Sequence, residues 1–304
     1  MRTVVIGTVP IKSFLYAFET PSFDGRDLIL SSGRIPCAMG TTATYTATMV
    51  TMKELRCKEK PLLMTAGDIG KADGSIVLYE NLIENFDKLG ADILVLHYIM
   101  PIITLMKKFA DKIRRSSRKP ILIADAGALY AVKAANLGSL FDVLTPDPGE
   151  MAFLADPEAI HPTYIEKHLF EIDTVDVPKL IKQAYELVSM PNTLIVKGRK
   201  DYIVDQGKIV KVIEEPFVPT LEPIGGTGDT LTGIIAGLIA GGMTTLDAVI
   251  NAAKINRVAG LLANPTPRTR VYDIIDKIPA AIHKVLDYKN NVNNAPTEHF
   301  GPRV

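Results

Sequence analysis

Residues 224–242 read IGGTGDTLTGIIAGLIAGG. Gly225, Gly226 and Gly228 surround Thr227 and lead into Asp229 and a long apolar run. Backbone without a Cβ turns tightly and can lie against a ligand. A helix that begins at or beside Asp229 turns its free N–H groups and positive dipole end toward that ligand, which suits a phosphate or a developing oxyanion. No Lys-Ser or Lys-Thr follows the last glycine, so this is not a Walker loop. The glycine spacing also differs from the dinucleotide fingerprint, and no strand directly precedes it. Asp229 could simply cap the helix, a role worth about 1 kcal/mol, yet a cap does not require three glycines before it. Gly233, Gly237 and Gly241 recur every four residues and read as a packing face rather than chemistry.

Outward from this segment, the short runs 62–64, 93–96, 121–123, 143–144 and 194–196 are apolar without strict alternation, as in strands covered on both faces. A first strand opens the chain at residues 1–7. Amphipathic stretches at 75–89, 100–115, 128–137 and 176–190 fall between the strands. This strand–helix rhythm predicts a three-layer α/β/α sandwich with a mostly parallel sheet. Residues 202–213 alternate around a Gly-containing turn, the signal of an antiparallel edge hairpin. Three helices are expected from Asp229 onward. No linker or repeat divides the chain, so residues 1–287 read as one domain and 288–304, which lack periodicity, as a mobile tail.

Apolar residues are 47% of the chain and charged residues 22%. That is the composition of a globular protein with a large core. Lys plus Arg and Asp plus Glu are equal at 34 each, so no net field favours nucleic acid or a membrane surface. A bound anion must be held locally. Cys37 and Cys57 match neither zinc nor redox spacing, which with the absence of a signal-peptide core reads as a cytoplasmic protein. The run 231–243 is too short to span a bilayer. The five histidines show no metal-ligand spacing and no Gly-x-Ser-x-Gly elbow is present, which sets zinc and serine hydrolysis aside.

The segment 224–242 resembles the signature of the ribokinase superfamily, and within it the ATP- or ADP-dependent NAD(P)H-hydrate dehydratases. ILIADAGALYAV at 121–132, LTPDPGEMAFL at 144–154 and NTLIVKGRKDYIVDQGKI at 192–209 resemble further segments of that family in order and spacing. The resemblance covers the chain from about position 120 onward. It implies a ribokinase-like fold, ATP or ADP and Mg²⁺ as cofactors, Asp229 as catalytic base, and a nucleotide held by Gly225, Gly226, Thr227, Gly228, Lys197 and Gly198. Glu150 would hold Mg²⁺ through water, although Asp147-Pro148-Gly149-Glu150 also reads as a turn into a capped helix. Asp125, Asp147 and the loop at Asp68 are the substrate-side candidates, the last because it follows a strand end, where open parallel sheets bind ligands. Asp147 stands where the family usually has His, the second Asp after Asp125 is missing, and 219–223 lack the usual Asn-Pro-Gly-rich stretch.

The implied activity is repair of hydrated NAD(P)H: a nucleotide phosphoryl group passes to the ring hydroxyl, then phosphate leaves and the C=C bond is restored. The same parts would serve a kinase for a sugar or hydroxymethyl heterocycle, and a nucleotide-binding regulator without turnover stays open as a third reading. The partners are a nucleotide and a small molecule. The sequence is compatible with a homo-oligomer and does not fix the oligomeric state.

Overall fold

The computed structural model describes residues 1–159 and 176–293. The chain opens with β1 (Thr3–Val9), β2 (Ala17–Glu19), β3 (Ser22–Phe23), β4 (Asp27–Leu30), β5 (Gly33–Pro36) and α1 (Thr41–Glu54). β6 (Leu62–Gly67), α2 (Asp73–Leu89), β7 (Ile93–Leu96), α3 (Ile103–Arg115), β8 (Ile121–Ala124), α4 (Gly127–Ala134), β9 (Val143–Leu144) and α5 (Pro148–Ala155) follow. After α6 (Val177–Leu187) come β10 (Thr193–Val196) and the hairpin of β11 (Asp201–Asp205) and β12 (Lys208–Ile213). The chain closes with α7 (Thr227–Ala240), α8 (Thr245–Leu262), the short α9 (Val271–Ile275) and α10 (Ile278–Asn293).

The main sheet runs β12-β11-β10-β9-β8-β7-β1-β6-β2. From β10 to β6 all pairs are parallel, and β2 and the β11–β12 hairpin close the two edges antiparallel. Successive strand residues enter opposite cores, which is why the strands read as unbroken apolar runs. Val5, Val95, Ile123, Val143 and Ile195 pack with α1, α7 and α8, whereas Val4, Ile6, Leu94, Leu122 and Leu194 pack with α2 to α6. The expected sandwich and edge hairpin are therefore present.

Features at both ends of the chain depart from the sequence reading. Residues 17–36 carry β2 and a separate small sheet, β3-β4-β5, and α1 is a helix with almost no amphipathic period. Its threonines are buried, and the hydroxyls of Thr44, Thr46 and Thr48 donate to Gly40, Thr42 and Thr44 carbonyls at 3.2, 2.7 and 2.8 Å. This back-bonding to the preceding turn lets polar, β-branched residues fill a buried helix. α1 lies directly on the glycine face of α7. A Cβ on Gly233 would sit 2.3 Å from the Thr44 carbonyl oxygen, and one on Gly237 2.5 Å from Thr51 Cβ. The stripe of Gly233, Gly237 and Gly241 is thus packing, as its period suggests. At the other end, α10 continues to Asn293, past the expected end of the domain at 287. The rest of the tail, 294–304, lies outside the described residues, and with it the expectation of mobility. The four described helices after residue 226, one of them the short α9, replace the expected three.

Candidate active site

Chain leaving the C-terminal ends of neighbouring parallel strands is where an α/β sheet assembles a ligand crevice. Here β7 is followed at once by His97 and Tyr98, β8 by Asp125, β9 by Thr145 and Asp147, and β10 by Lys197. α7 points its N-terminus into the same place from above. Gly226 caps it with φ 98°, Thr227 is its first residue, and Asp229 stands third. Asp229 is therefore not the N-cap, and its side chain makes no capping bond. Instead its Oδ2 accepts the Gly40 N–H at 2.5 Å, and its Oδ1 lies 3.1 Å from His97 Nε2.

Asp125 is the buried hub of the site. Its Oδ1 accepts from Lys197 Nζ at 2.5 Å and from the Ala126 N–H at 2.8 Å, and its Oδ2 accepts the Thr232 hydroxyl at 2.6 Å. His97 Nε2 is 3.4 Å from that Oδ2. Burial works to raise the Asp125 carboxyl, but the Lys197 ammonium and His97 hold it well below the ordinary carboxylate range. Lys197 itself reaches back along the first turn of α7. A Cβ on Gly228 would come 3.1 Å from Lys197 Cε, so the third glycine of the loop makes room for the lysine. Burial works against charge on Lys197, yet the surrounding carboxylates, Asp125 first, raise its affinity for the proton.

A cavity of about 450 Å³ opens over this floor and is lined by Gly226 to Asp229, Lys197 and Glu150 among others. Arg257 fixes its far wall. The guanidinium pairs with Asp201 at 2.7 Å and donates to the carbonyls of Gly198, Arg199 and Glu214, while Asp201 accepts the Gly198 N–H at 3.0 Å. Gly225 lies against Met39 at the rim, where a Cβ would meet the Met39 methyl at 2.6 Å. The expected nucleotide residues Gly226, Thr227, Gly228, Lys197 and Gly198 thus surround one space.

A second cavity, about 650 Å³, lies on the other side of Met39 and Tyr98, which line both. Pro10, Ile11, Ile35, Met100 and Pro101 give it apolar walls, and no Lys, Arg or His lines it among the described residues. The small sheet contributes Ile35 and Pro36, so the unforeseen N-terminal elements build this chamber. Gly40, whose N–H holds Asp229, lies in its wall.

Asp68 also borders the second cavity, but its carboxylate is occupied. Oδ1 accepts the N–H groups of Gly70, Lys71 and Ala72, and Oδ2 accepts both the N–H and the hydroxyl of Ser75, all at 2.8 to 3.1 Å. It shapes the loop into α2. Asp147 and Glu150 form the capping box of α5, an arrangement that satisfies two orphan N–H groups reciprocally. The Asp147 N–H donates to Glu150 Oε2 at 2.9 Å and the Glu150 N–H to Asp147 Oδ1 at 2.7 Å. Both residues also line the first cavity. The Glu150 carboxyl is pushed well above the ordinary range by burial, with Asp147 and Asp125 adding to the rise and Lys197 opposing it. A carboxylate at the edge of a cavity whose nearest cation, Lys197, is paired to Asp125 fits a hard divalent cation with water ligands. The cluster of His97, Asp125 and Asp229, whose ligand atoms lie within 4.8 Å, fits Mg²⁺ poorly. Lys197 already supplies Asp125 with a cation, and an imidazole is no match for an all-oxygen preference.

His97 escaped the sequence reading because a single histidine after an apolar strand carries no spacing signal. It is fully buried, and its backbone is pinned between the Ile6 carbonyl at 2.9 Å and the Ala128 N–H at 3.1 Å.

Comparison with known proteins bears on this geometry. A family model described as NAD(P)H-hydrate dehydratase matches residues 88–280. An uncharacterised protein of Methanocaldococcus jannaschii is 45% identical over 224 residues, covering 74% of this chain and 92% of that protein. The ADP-dependent (S)-NAD(P)H-hydrate dehydratase of Xanthomonas campestris is 32% identical over 169 residues, or 52% of this chain, and the match spans about half of that enzyme, 53%. In fold, the chain is similar to the ADP/ATP-dependent NAD(P)H-hydrate dehydratase of Bacillus subtilis co-crystallised with ATP and Mg²⁺. That likeness has a TM-score of 0.52 and 15% identity, and covers 93% of this chain and 89% of the other. The match of the family model begins at residue 88, so β1 to β6, the small sheet and α1 fall outside it.

Proposed function

We propose that this chain, which belongs to the NAD(P)H-hydrate dehydratase family, is a nucleotide-dependent dehydratase that restores reduced nicotinamide cofactor from its hydrate, with Asp229 as base. One observation carries the reading: Asp229, on the first turn of α7, lines a polar cavity floored by Lys197, and its Oδ2 accepts the N–H of Gly40, which lies in the wall of the adjoining apolar chamber. A phosphoryl donor in the first and a hydroxyl acceptor in the second would meet at its carboxylate.

In this reading the nucleotide phosphates lie against the N–H groups of Gly226 to Gly228 and the Lys197 ammonium, with the helix dipole behind them. Mg²⁺ would be held on the Glu150 side through water, and would neutralise phosphate charge when bound. Asp229 accepts the hydroxyl proton as the oxygen attacks the terminal phosphorus of ATP or ADP, and ADP or AMP departs. The ring C–O bond then breaks with its electron pair leaving on phosphate, a ring proton is lost, and the C=C bond reforms. Phosphate leaves where hydroxide would not. The name of the Xanthomonas relative favours ADP as donor.

A second reading is supported by the lining of the apolar chamber. A hydrated dinucleotide brings its own phosphates, and no basic side chain of the described residues lines that chamber to receive them. A small uncharged hydroxylated ring would need none, which favours a kinase. One assay separates the two. With hydrated NADH or NADPH, Mg²⁺ and ADP or ATP, a dehydratase restores dihydronicotinamide absorbance and releases one phosphate per cofactor, whereas a kinase leaves the phosphate on its product. Absence of restored absorbance, with phosphorylation of a hydroxymethyl heterocycle or sugar, would overturn the dehydratase reading.

A further inference from the structure

His97 is fully buried just past the C-terminal end of β7. Two carboxylates, Asp125 and Asp229, converge on its ring from β8 and α7, and both meet the same nitrogen, Nε2, at 3.4 and 3.1 Å. Among the described residues neither ring nitrogen completes a hydrogen bond, so the two Nε2 contacts are ion pairs rather than aligned hydrogen bonds. A histidine buried for packing alone pairs its nitrogens with backbone or hydroxyl groups. Here its polar surroundings are two acids. The remaining charged group close by is Lys197, at the end of β10, and it is engaged by Asp125. Tyr98 closes the last side, its ring edge-on at 4.8 Å between centroids.

Consider this cluster without a charge on the ring. Asp125 would keep Lys197, and Asp229 would be a mostly buried carboxylate with one N–H, that of Gly40, as its support. A second acid close by and the incoming phosphates would both drive it to take up a proton. A protonated Asp229 cannot accept another from the acceptor hydroxyl. An imidazolium between the acids leaves the four-group cluster neutral, with two carboxylates against two cations, and leaves Asp229 ionised.

We propose that His97 is a positioning residue for the base: a buried imidazolium clamped by Asp125 and Asp229 that keeps the Asp229 carboxylate charged and fixed beside Gly40 on the wall of the polar cavity. It touches neither donor nor acceptor and acts through Asp229, so the proposal rests on Asp229 being the base. Through Asp125 it also joins that base to Lys197. When phosphates draw on the lysine, Asp125 turns more of its charge toward His97, and the hold of the ring on Asp229 slackens as the nucleotide arrives. The base therefore gains proton affinity when it is needed.

The test begins with the wild-type protein labelled with ¹⁵N in histidine. Long-range ¹H–¹⁵N spectra, with the His97 signals assigned by their loss in His97→Gln, should show both ring nitrogens protonated at pH 7.5. The midpoint of deprotonation should fall in Asp229→Asn and rise slightly when ADP or ATP with Mg²⁺ is added to wild type, as Asp125 turns more of its charge toward the ring. In parallel, the acid limb of kcat/KM should move upward by about 1–3 pH units in His97→Gln and His97→Asn, with nucleotide affinity preserved. A neutral ring at pH 7.5, or a folded variant whose acid limb stays at the wild-type pH, overturns the proposal. Should the variants not fold, the wild-type and Asp229→Asn spectra decide, with His97 assigned as the ring whose titration shifts in Asp229→Asn; the absence of any shifted ring overturns the proposal. Full turnover by Asp229→Asn would instead overturn the assignment of the base, a distinct result.

Discussion

Replacing Asp229 by Asn changes one atom and separates chemistry from scaffolding. The amide keeps the shape, and its oxygen can still accept the Gly40 N–H that Oδ2 now accepts at 2.5 Å. What it lacks is proton affinity and charge. General-base assistance of this kind contributes about 10²–10⁴-fold, or roughly 3–5 kcal/mol of barrier, and turnover should fall by that factor. The structural cost is smaller. The charge in the first turn of α7 is worth about 0.3–1 kcal/mol against the helix dipole. The pair with His97 is lost too, but the ring can release its proton rather than remain an unpaired buried cation. For a domain this size about 1 kcal/mol corresponds to roughly 2 °C in Tm, so the variant should melt only a few degrees lower and be fully folded at room temperature. Nucleotide affinity, measured by calorimetry, should change less than threefold. The assay is cofactor repair followed by absorbance, run beside thermal melting. Turnover within a factor of ten of wild type would refute the argument and leave Asp229 a partner of Gly40 and His97 only.

Lys197→Met removes the cation that Asp125 holds at 2.5 Å. Breaking such a buried pair costs about 3–5 kcal/mol, so denaturant melts should shift strongly and nucleotide affinity should drop at least tenfold. Glu150→Gln retains an oxygen for the Asp147 N–H, so the fold should persist while the Mg²⁺ concentration needed for half-maximal activity rises severalfold. Gly233→Val drives a side chain into the Thr44 carbonyl, 2.3 Å from the new Cβ. It should destabilise the protein by about 1–3 kcal/mol in urea melts without a specific effect on the site. His97 gives a pH dependence of stability. Burial lowers its pKa but the pairing with Asp125 and Asp229 wins, raising it from 6.5 to about 9. The folded state therefore binds the extra proton. Its contribution, about 3 kcal/mol, is full below pH 6.5 and is lost as pH rises through 9. Urea unfolding between pH 6 and 9.5 should show that loss in wild type and not in His97→Gln.

The parts of the molecule legible in the sequence are those where one residue class repeats or one rule acts locally. The parallel strands declared themselves because both faces are buried, the hairpin because alternation met a turn, and the loop around Gly228 because its clustered glycines stand out and admit the Lys197 side chain. The apolar chamber was hidden for the opposite reason. Its walls come from proline, isoleucine and methionine on β5 and the loops after β1 and β7, none of which signals chemistry alone. α1 was hidden because it is buried all round and Thr44, Thr46 and Thr48 bond their hydroxyls back to the preceding turn, so no polar stripe marks a surface face. Asp68 illustrates the converse: a carboxylate after a strand, flanked by glycines, looked available to a substrate, yet donors of its own loop and of α2 consume it.

His97 marks the limit of reading by pattern. Its significance lies in Asp125 and in the far more distant Asp229, which meet only because β7, β8 and α7 end at one point. The same convergence explains why Asp125 is at the hub despite lacking the second Asp that the resemblance would supply. Its charge is met inside the protein by Lys197, Thr232 and His97. In the proposed reading, substrate choice falls to the chamber walls. Those walls come largely from the segment 8–42, which precedes the part of the chain matched to the family, and otherwise from Asp68, Gly70 and the segment 98–130. A chimera carrying residues 1–60 of the Methanocaldococcus relative should thus keep nucleotide binding and the pH profile set by His97. Any change it makes should fall on acceptor KM, and a change in nucleotide affinity instead would show that the two cavities are not separable.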